Sequence, residues 1–235
     1  MRPWSDRPIV DCLEPLVPLP PEFIRLQPHP YVAAGAPYGL DGDPFRLRSG
    51  VLQRLLLAQQ WVQDFDPDLR LAIFDGWRPL AVQAFMVEHS ISEEVQRRGI
   101  DPADAIEMRA VQDLVGRFWA PPSNDPSTPP PHSTGAAVDL TLASHRTQEP
   151  LEMGGAIDAL SEISLPDHYD DAPVGSEQAL WHGRRTVLRK AMQAAGFAQH
   201  PNEWWHFSYG DQLWAWQTGK DGAIYAAVSN SSVTA

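Results

Sequence analysis

Residues 132–142 read HSTGAAVDLTL, a histidine and a glycine followed by a short apolar run. The run itself, AAVDLTL at 136–142, has the length and character of a β-strand that starts directly out of a loop. One residue is out of place in it. Asp139 puts a carboxylate into an otherwise apolar strand, which is costly unless the charge is paired or ligates a metal. His132 stands seven residues earlier, and on a flat strand an odd spacing sends two side chains to opposite faces. Gly135, between them, can bend the chain and bring both to one point. The plainer alternative is an edge-strand aspartate facing water.

Working back from this stretch, APPSNDPSTPPP at 120–131 can be neither helix nor central strand. It reads as a surface loop rather than an interdomain linker, because a strand begins straight after it. LAIFD at 71–75 reads as a short buried strand, and Pro79 suits the first turn of a helix that runs to about Arg98 with Gly99 as its cap. An earlier helix spans 51–65, with Val51, Leu55, Trp61, Val62 and Phe65 near one face and Asp66-Pro67-Asp68 stopping it. Another starts at Asp101-Pro102, with Ile106, Val111, Leu114, Val115 and Phe118 as its apolar side. Residues 1–50 hold no clear helix, and PHPYVAAGAPYGLDGDPF at 28–45 reads as ordered loop with short strands. Forward of the opening stretch come a helix from about Gly175 to Ala195 closed by Gly196, a strand EWWHFSY at 203–209, and a terminal hairpin of LWAW and AIYAAV joined across GKDG. Helices early, then strands mixed with one helix, point to an α+β fold. The reading is one domain over 1–235, with a Pro-rich N-terminal segment and a Pro-rich loop at 120–131.

A second cluster able to do chemistry lies in Glu203-Trp-Trp-His206, a carboxylate and an imidazole wedged among indoles that can shield a site from water. Together the two clusters supply two imidazoles and two carboxylates. Two histidines plus one carboxylate bind zinc with a fourth position open, the catalytic arrangement, and the remaining carboxylate is free to act as base. His200 is a competing ligand, placed lower because it precedes Pro201 in an expected turn. His29, His89, His145, His168 and His182 have no neighbouring pattern. Arg78, in a strand-to-helix turn, is placed to donate to an oxyanion or carboxylate, or simply to make a surface salt bridge. The net charge of −12 argues against nucleic acid or an anionic membrane as partner. A single cysteine, Cys12, excludes an intrachain disulfide and a Cys-rich zinc site. No clean secretory signal and no apolar run of membrane-spanning length is seen, so a cytoplasmic location is the default expectation. G-x-S-x-G, P-loop, H-E-x-x-H and strand-linked G-x-G-x-x-G motifs are absent.

Four segments, FDGWRP (74–79), HSTGAAVDLTL (132–142), EMGGAIDALSE (152–162) and EWWHF (203–207), together resemble the VanX-type D-alanyl-D-alanine dipeptidases, zinc enzymes that share a fold with DD-carboxypeptidases and the Hedgehog signalling domain. The resemblance covers roughly residues 20–210. It implies an antiparallel sheet carrying one zinc ion per chain, with helices packed against it. It further implies His132, Asp139 and His206 as zinc ligands, Glu203 as general base, Arg78 as stabiliser of the carbonyl oxygen, and Asp158 as binder of the substrate ammonium. Tyr31 and Tyr38 are both candidates for a substrate-contacting tyrosine. The implied reaction is hydrolysis of a free D-Ala-D-Ala-type dipeptide. A peptidoglycan-stem DD-carboxypeptidase and a non-catalytic zinc-bearing binding domain are the alternatives. Two departures from the family pattern touch the substrate: Pro129-Pro130-Pro131 stands where a serine-containing segment is usual, and Thr134 where arginine is usual.

Overall fold

The computed structural model describes residues 2–39 and 42–228. In chain order the regular elements are β1 (Leu16–Pro18), β2 (Ile24–Arg25), α1 (Pro30–Ala33), β3 (Arg46–Arg48), α2 (Ser49–Phe65), β4 (Leu69–Asp75), α3 (Leu80–Arg98), α4 (Ala105–Phe118), β5 (Ala137–Ser144), α5 (Glu177–Ala194), β6 (Ala198–Gln199), β7 (His206–Ser208) and α6 (Gln212–Gln217). A five-stranded sheet in the order β2-β4-β5-β7-β6 forms the centre, and β1 pairs with β3 beside it. The class is α+β as expected. The sheet is antiparallel except at one edge, where β2 runs parallel to β4. No helix among the described residues is long and apolar enough to cross a membrane.

The opening stretch builds the middle of this sheet. β5 lies between β4 and β7, so Asp139 is central and buried rather than an edge residue facing water. Strand alternation sends Val138, Leu140 and Leu142 to one face, where they join Leu71, Ile73, Leu55, Leu188 and Met192 in the main core under α2 and α5. Asp139 therefore points to the other face. There Phe74 packs with Tyr31, Tyr38, Val82, Met86, Val111, Val115 and Trp119, a second apolar cluster built on α3 and α4.

A β-bulge sets the site's geometry. Ile73 pairs with Leu140, but Asp75 rather than Phe74 pairs with Asp139. The extra residue breaks the alternation, so Asp75 emerges on the same face as Asp139 instead of in the main core.

Local signals explain most helix ends. Gly99 takes φ 66° and closes α3, with Pro79 at its start. Helix α4 begins three residues later than Pro102 because Asp104, not Asp101, caps it, accepting from the Ile106 and Glu107 N–H groups. Two residues expected on apolar helix faces are exposed: Phe65 by 59% and Ile106 by 84%. Each lies at a helix end, past the reach of the core. The loop expectation over 28–45 gives way to the single turn of α1, and Leu40 and Asp41 within it lie outside the described residues.

Two expectations near the C-terminus are corrected. LWAW is not a hairpin strand but the body of α6. Asp211 caps that helix by accepting from Trp214 N–H at 2.8 Å, a local bond that decides against a four-residue apolar strand. AIYAAV contributes only an isolated bridge, Ala223 to Ile9, and pairs with no LWAW strand. EWWHFSY pairs as a strand only from His206, because Trp204 N–H turns away to the Ser164 carbonyl at 2.8 Å.

Candidate metal centre

His132 lies in a 3-10 turn, Pro131–Thr134, that ends at Gly135 with φ 71°. A side chain at Gly135 is barred twice, by that φ and by Leu16, whose Cδ2 would stand 2.4 Å from an added Cβ. The turn aims His132 at the sheet. Its Nδ1 lies 2.7 Å from the Gly76 carbonyl oxygen. A carbonyl only accepts, so Nδ1 carries the hydrogen and the lone pair of Nε2 is free. That Nε2 lies 3.2 Å from His206 Nδ1 and 3.2 Å from Asp139 Oδ2. Asp139 Oδ1 is 3.0 Å from the same His206 nitrogen, because Asp139 and His206 are register partners across β5 and β7.

These three residues are buried and offer ligand atoms all within 4.8 Å of one another. Donors sharing one tetrahedral ion with arms of 2.0–2.1 Å would sit about 3.3 Å apart, so the observed spacing fits such an ion. The donor set, two imidazoles and one carboxylate, also suits zinc chemically. Burial works against the Asp139 charge, but the imidazoles of His132 and His206 outweigh it and hold the carboxyl well below the usual range.

Around this trio stand the other groups singled out in the sequence. Glu203 Oε2 is 3.6 Å from His206 Nδ1, and its buried Oε1 has no hydrogen-bond partner among the described residues. Burial first, and the Asp139 charge second, push its carboxyl well above the ordinary value. Asp158 takes a positive φ of 66° and accepts a 2.6 Å bond from the Tyr31 hydroxyl. Burial, with Asp139 adding, raises its carboxyl to about 7. His200 is buried and lies edge-on to His206 at 5.5 Å, outside the three-residue group, and burial keeps its imidazole neutral.

Arg78 is not a surface residue. Its Nε and Nη2 donate to Asp75 Oδ2 at 3.0 and 2.7 Å, and its Nη1 donates to Gln83 Oε1 at 2.9 Å. Its Nη2 also lies 3.5 Å from Asp139, and the guanidinium sits over the Tyr31 and Trp119 rings. Sequence reasoning missed Asp75 and Gln83 behind it. Asp75 has no exposure to water and also takes His29 Nε2 and the Tyr38 hydroxyl, each at 3.2 Å. Arg78 overcomes the burial penalty and keeps Asp75 ionised. The only visible signal was an acid three residues before the arginine at a strand end. The two tyrosines thus part company: Tyr31 touches Asp158 and Arg78, while Tyr38 braces Asp75 from behind.

A cavity of about 30 Å³ is lined by Arg78, His132, Asp139, Asp158, Glu203 and His206. Arg2 lines it too, although it belongs to none of the motifs singled out above.

The raised Asp158 carboxyl has a consequence for stability. Its folded value near 7 exceeds the usual 3.8, so ionising it costs stability fully above pH 7, less as pH falls, and nothing below about pH 4. Asp158→Asn should therefore stabilise the chelator-treated protein by about 1–3 kcal/mol at pH 8, discounted because Asp158 keeps some contact with water. Urea unfolding at pH 8 and pH 4 checks this; an equal gain at both would refute the burial penalty.

Residues 26–222 match the D-ala-D-ala dipeptidase family. A D-alanyl-D-alanine dipeptidase of Synechocystis sp. is 44% identical over 92% of this chain and 90% of its own length. One from Enterococcus faecalis is 29% identical over 60% of this chain and 63% of its own. A crystal structure of the vancomycin resistance D,D-pentapeptidase VanY in complex with Zn(II) covers 92% of this chain with a TM-score of 0.46 at 14% identity, too distant to fix fold or ligand here.

Proposed function

Because this chain belongs to the D-ala-D-ala dipeptidase family, we propose that it hydrolyses a free D-Ala-D-Ala-type dipeptide in the cytoplasm, with one zinc ion held by His132, Asp139 and His206. The observation that carries the reading is the convergence of those three donors, Glu203, Arg78 and Asp158 on one small cavity. When bound, zinc lowers the pKa of water to about 7 and polarises a carbonyl.

The protein's own groups divide the remaining work. Glu203 takes a proton from the attacking water on a carboxylate oxygen and delivers it to the leaving amine nitrogen. Its indole neighbours Trp204 and Trp205 are buried, which keeps bulk water from competing for that proton. Arg78 is held by Asp75 and Gln83, leaving one N–H of Nη1 uncommitted for the scissile carbonyl oxygen. Because its fork is fixed before substrate arrives, little reorganisation is needed as charge develops. Asp158, oriented by Tyr31, takes the substrate's free ammonium. An acceptor for an N-terminal ammonium favours dipeptides over the interiors of longer chains.

The test is a panel of free dipeptides of LL, LD, DL and DD configuration, assayed with and without a chelator. The DD dipeptide should be cleaved fastest, chelation should lower its rate at least a hundredfold, and added zinc should restore it. Cleavage that persists after complete metal removal would overturn the metallopeptidase assignment.

A further inference from the structure

We propose that Arg2 binds the C-terminal carboxylate of the substrate, in the cavity that Asp158 also lines. Arg2 and Asp158 line the same small cavity as the zinc-suited trio and Glu203. The guanidinium has no ion pair among the described residues, and its Nη2 is buried with no hydrogen-bond partner among them. Burial lowers its proton affinity, and Glu203 is the charge that raises it. A desolvated guanidinium without a fixed partner is costly, and a planar carboxylate matches its paired donors.

The surroundings point the same way. Trp4 holds this segment in place, its ring edge-on to His200 at 5.7 Å with the Arg2 guanidinium carbon 5.8 Å from the ring centre. Arg2 also borders a cleft of about 600 Å³ walled by Pro129, Pro130 and Pro131. Those prolines have neither N–H nor hydroxyl to offer an anion, so on that side Arg2 is the cationic donor. A dipeptide zwitterion carries a cation at one end and an anion at the other. Asp158 meets the first, and Arg2 is placed to meet the second.

This inference rests on the dipeptidase reading, and the experiment separates the two. The kcat/KM for the free dipeptide and for the same dipeptide with a C-terminal amide is measured in the wild type, Arg2→Ala and Arg2→Lys. The wild type should prefer the free acid at least a hundredfold. Arg2→Ala should bring that ratio toward one through KM, and Arg2→Lys, which keeps the charge but loses the fork, should leave an intermediate ratio. A ratio in Arg2→Ala equal to the wild-type ratio overturns the assignment. Calorimetric binding of both compounds to zinc-loaded Glu203→Gln, with and without Arg2→Ala, gives a readout independent of turnover. If the wild type cleaves neither compound, the dipeptidase reading fails, and the binding arm alone judges Arg2: binding that is carboxylate-dependent only with Arg2 present supports it, and any other result refutes it.

Discussion

A Glu203→Gln enzyme should keep its metal and lose about three orders of magnitude in kcat, the middle of the ~10²–10⁴ range for general acid–base catalysis. The metal should stay because Glu203 is outside the candidate donor trio, its Oε2 3.6 Å from His206 Nδ1. Folding is preserved because glutamine has the same shape, and it removes a charge from a site whose burial disfavours that charge. The substitution therefore separates proton transfer from architecture. Metal content by atomic emission and kcat on the DD dipeptide measure the two sides. A variant within tenfold of the wild-type kcat would remove Glu203 from the reaction.

Asp75→Ala should be the most damaging change away from the proposed metal ligands. Asp75 accepts both Arg78 donors, His29 and Tyr38 with no water in reach. Its loss leaves Arg78 buried without its main anion, a situation that costs about 3–5 kcal/mol. The freed guanidinium has another carboxylate at hand, Asp139, already 3.5 Å from Nη2. Drawn there, it competes with the metal for Asp139, and zinc affinity should fall about 10–100-fold, as when groups supporting a metal ligand are removed. Urea unfolding and chelator competition report the two losses separately. Wild-type stability in Asp75→Ala would show that Arg78 does not depend on this partner. Asp75→Asn, which keeps an acceptor without the charge, should fall between.

That this residue escaped the sequence reading is instructive. Asp139 was visible because a charge in AAVDLTL contradicts its neighbours, and His132 because Gly135 made an odd spacing workable. Glu203 and His206 were visible through the chemistry they could share. Asp75 looked like a strand terminus, and period-two alternation assigns it to the core face. Only the bulge at Phe74 reverses that, and a bulge is a property of how β4 pairs with β5. Arg2 was invisible for a related reason: it reaches a cavity formed by residues from 78 to 206, and no local pattern reports so distant an approach. The helix ends at Gly99 and Pro79 were legible because glycine and proline act through their own backbone geometry. The α6 segment was misread where a run of four apolar residues competed with an aspartate cap.

The three prolines ahead of His132 have a thermodynamic side. Each ring pins φ near −65°, and each proline also restricts the residue before it, so Pro129-Pro130-Pro131 has few conformations to lose on folding. Ordering an ordinary residue costs about 1–2 kcal/mol of backbone entropy, and much of that is avoided here. Little of the free energy of ion capture is then consumed in freezing the segment that presents His132. The emptied pocket should keep its shape, and a stripped enzyme should reload quickly without refolding.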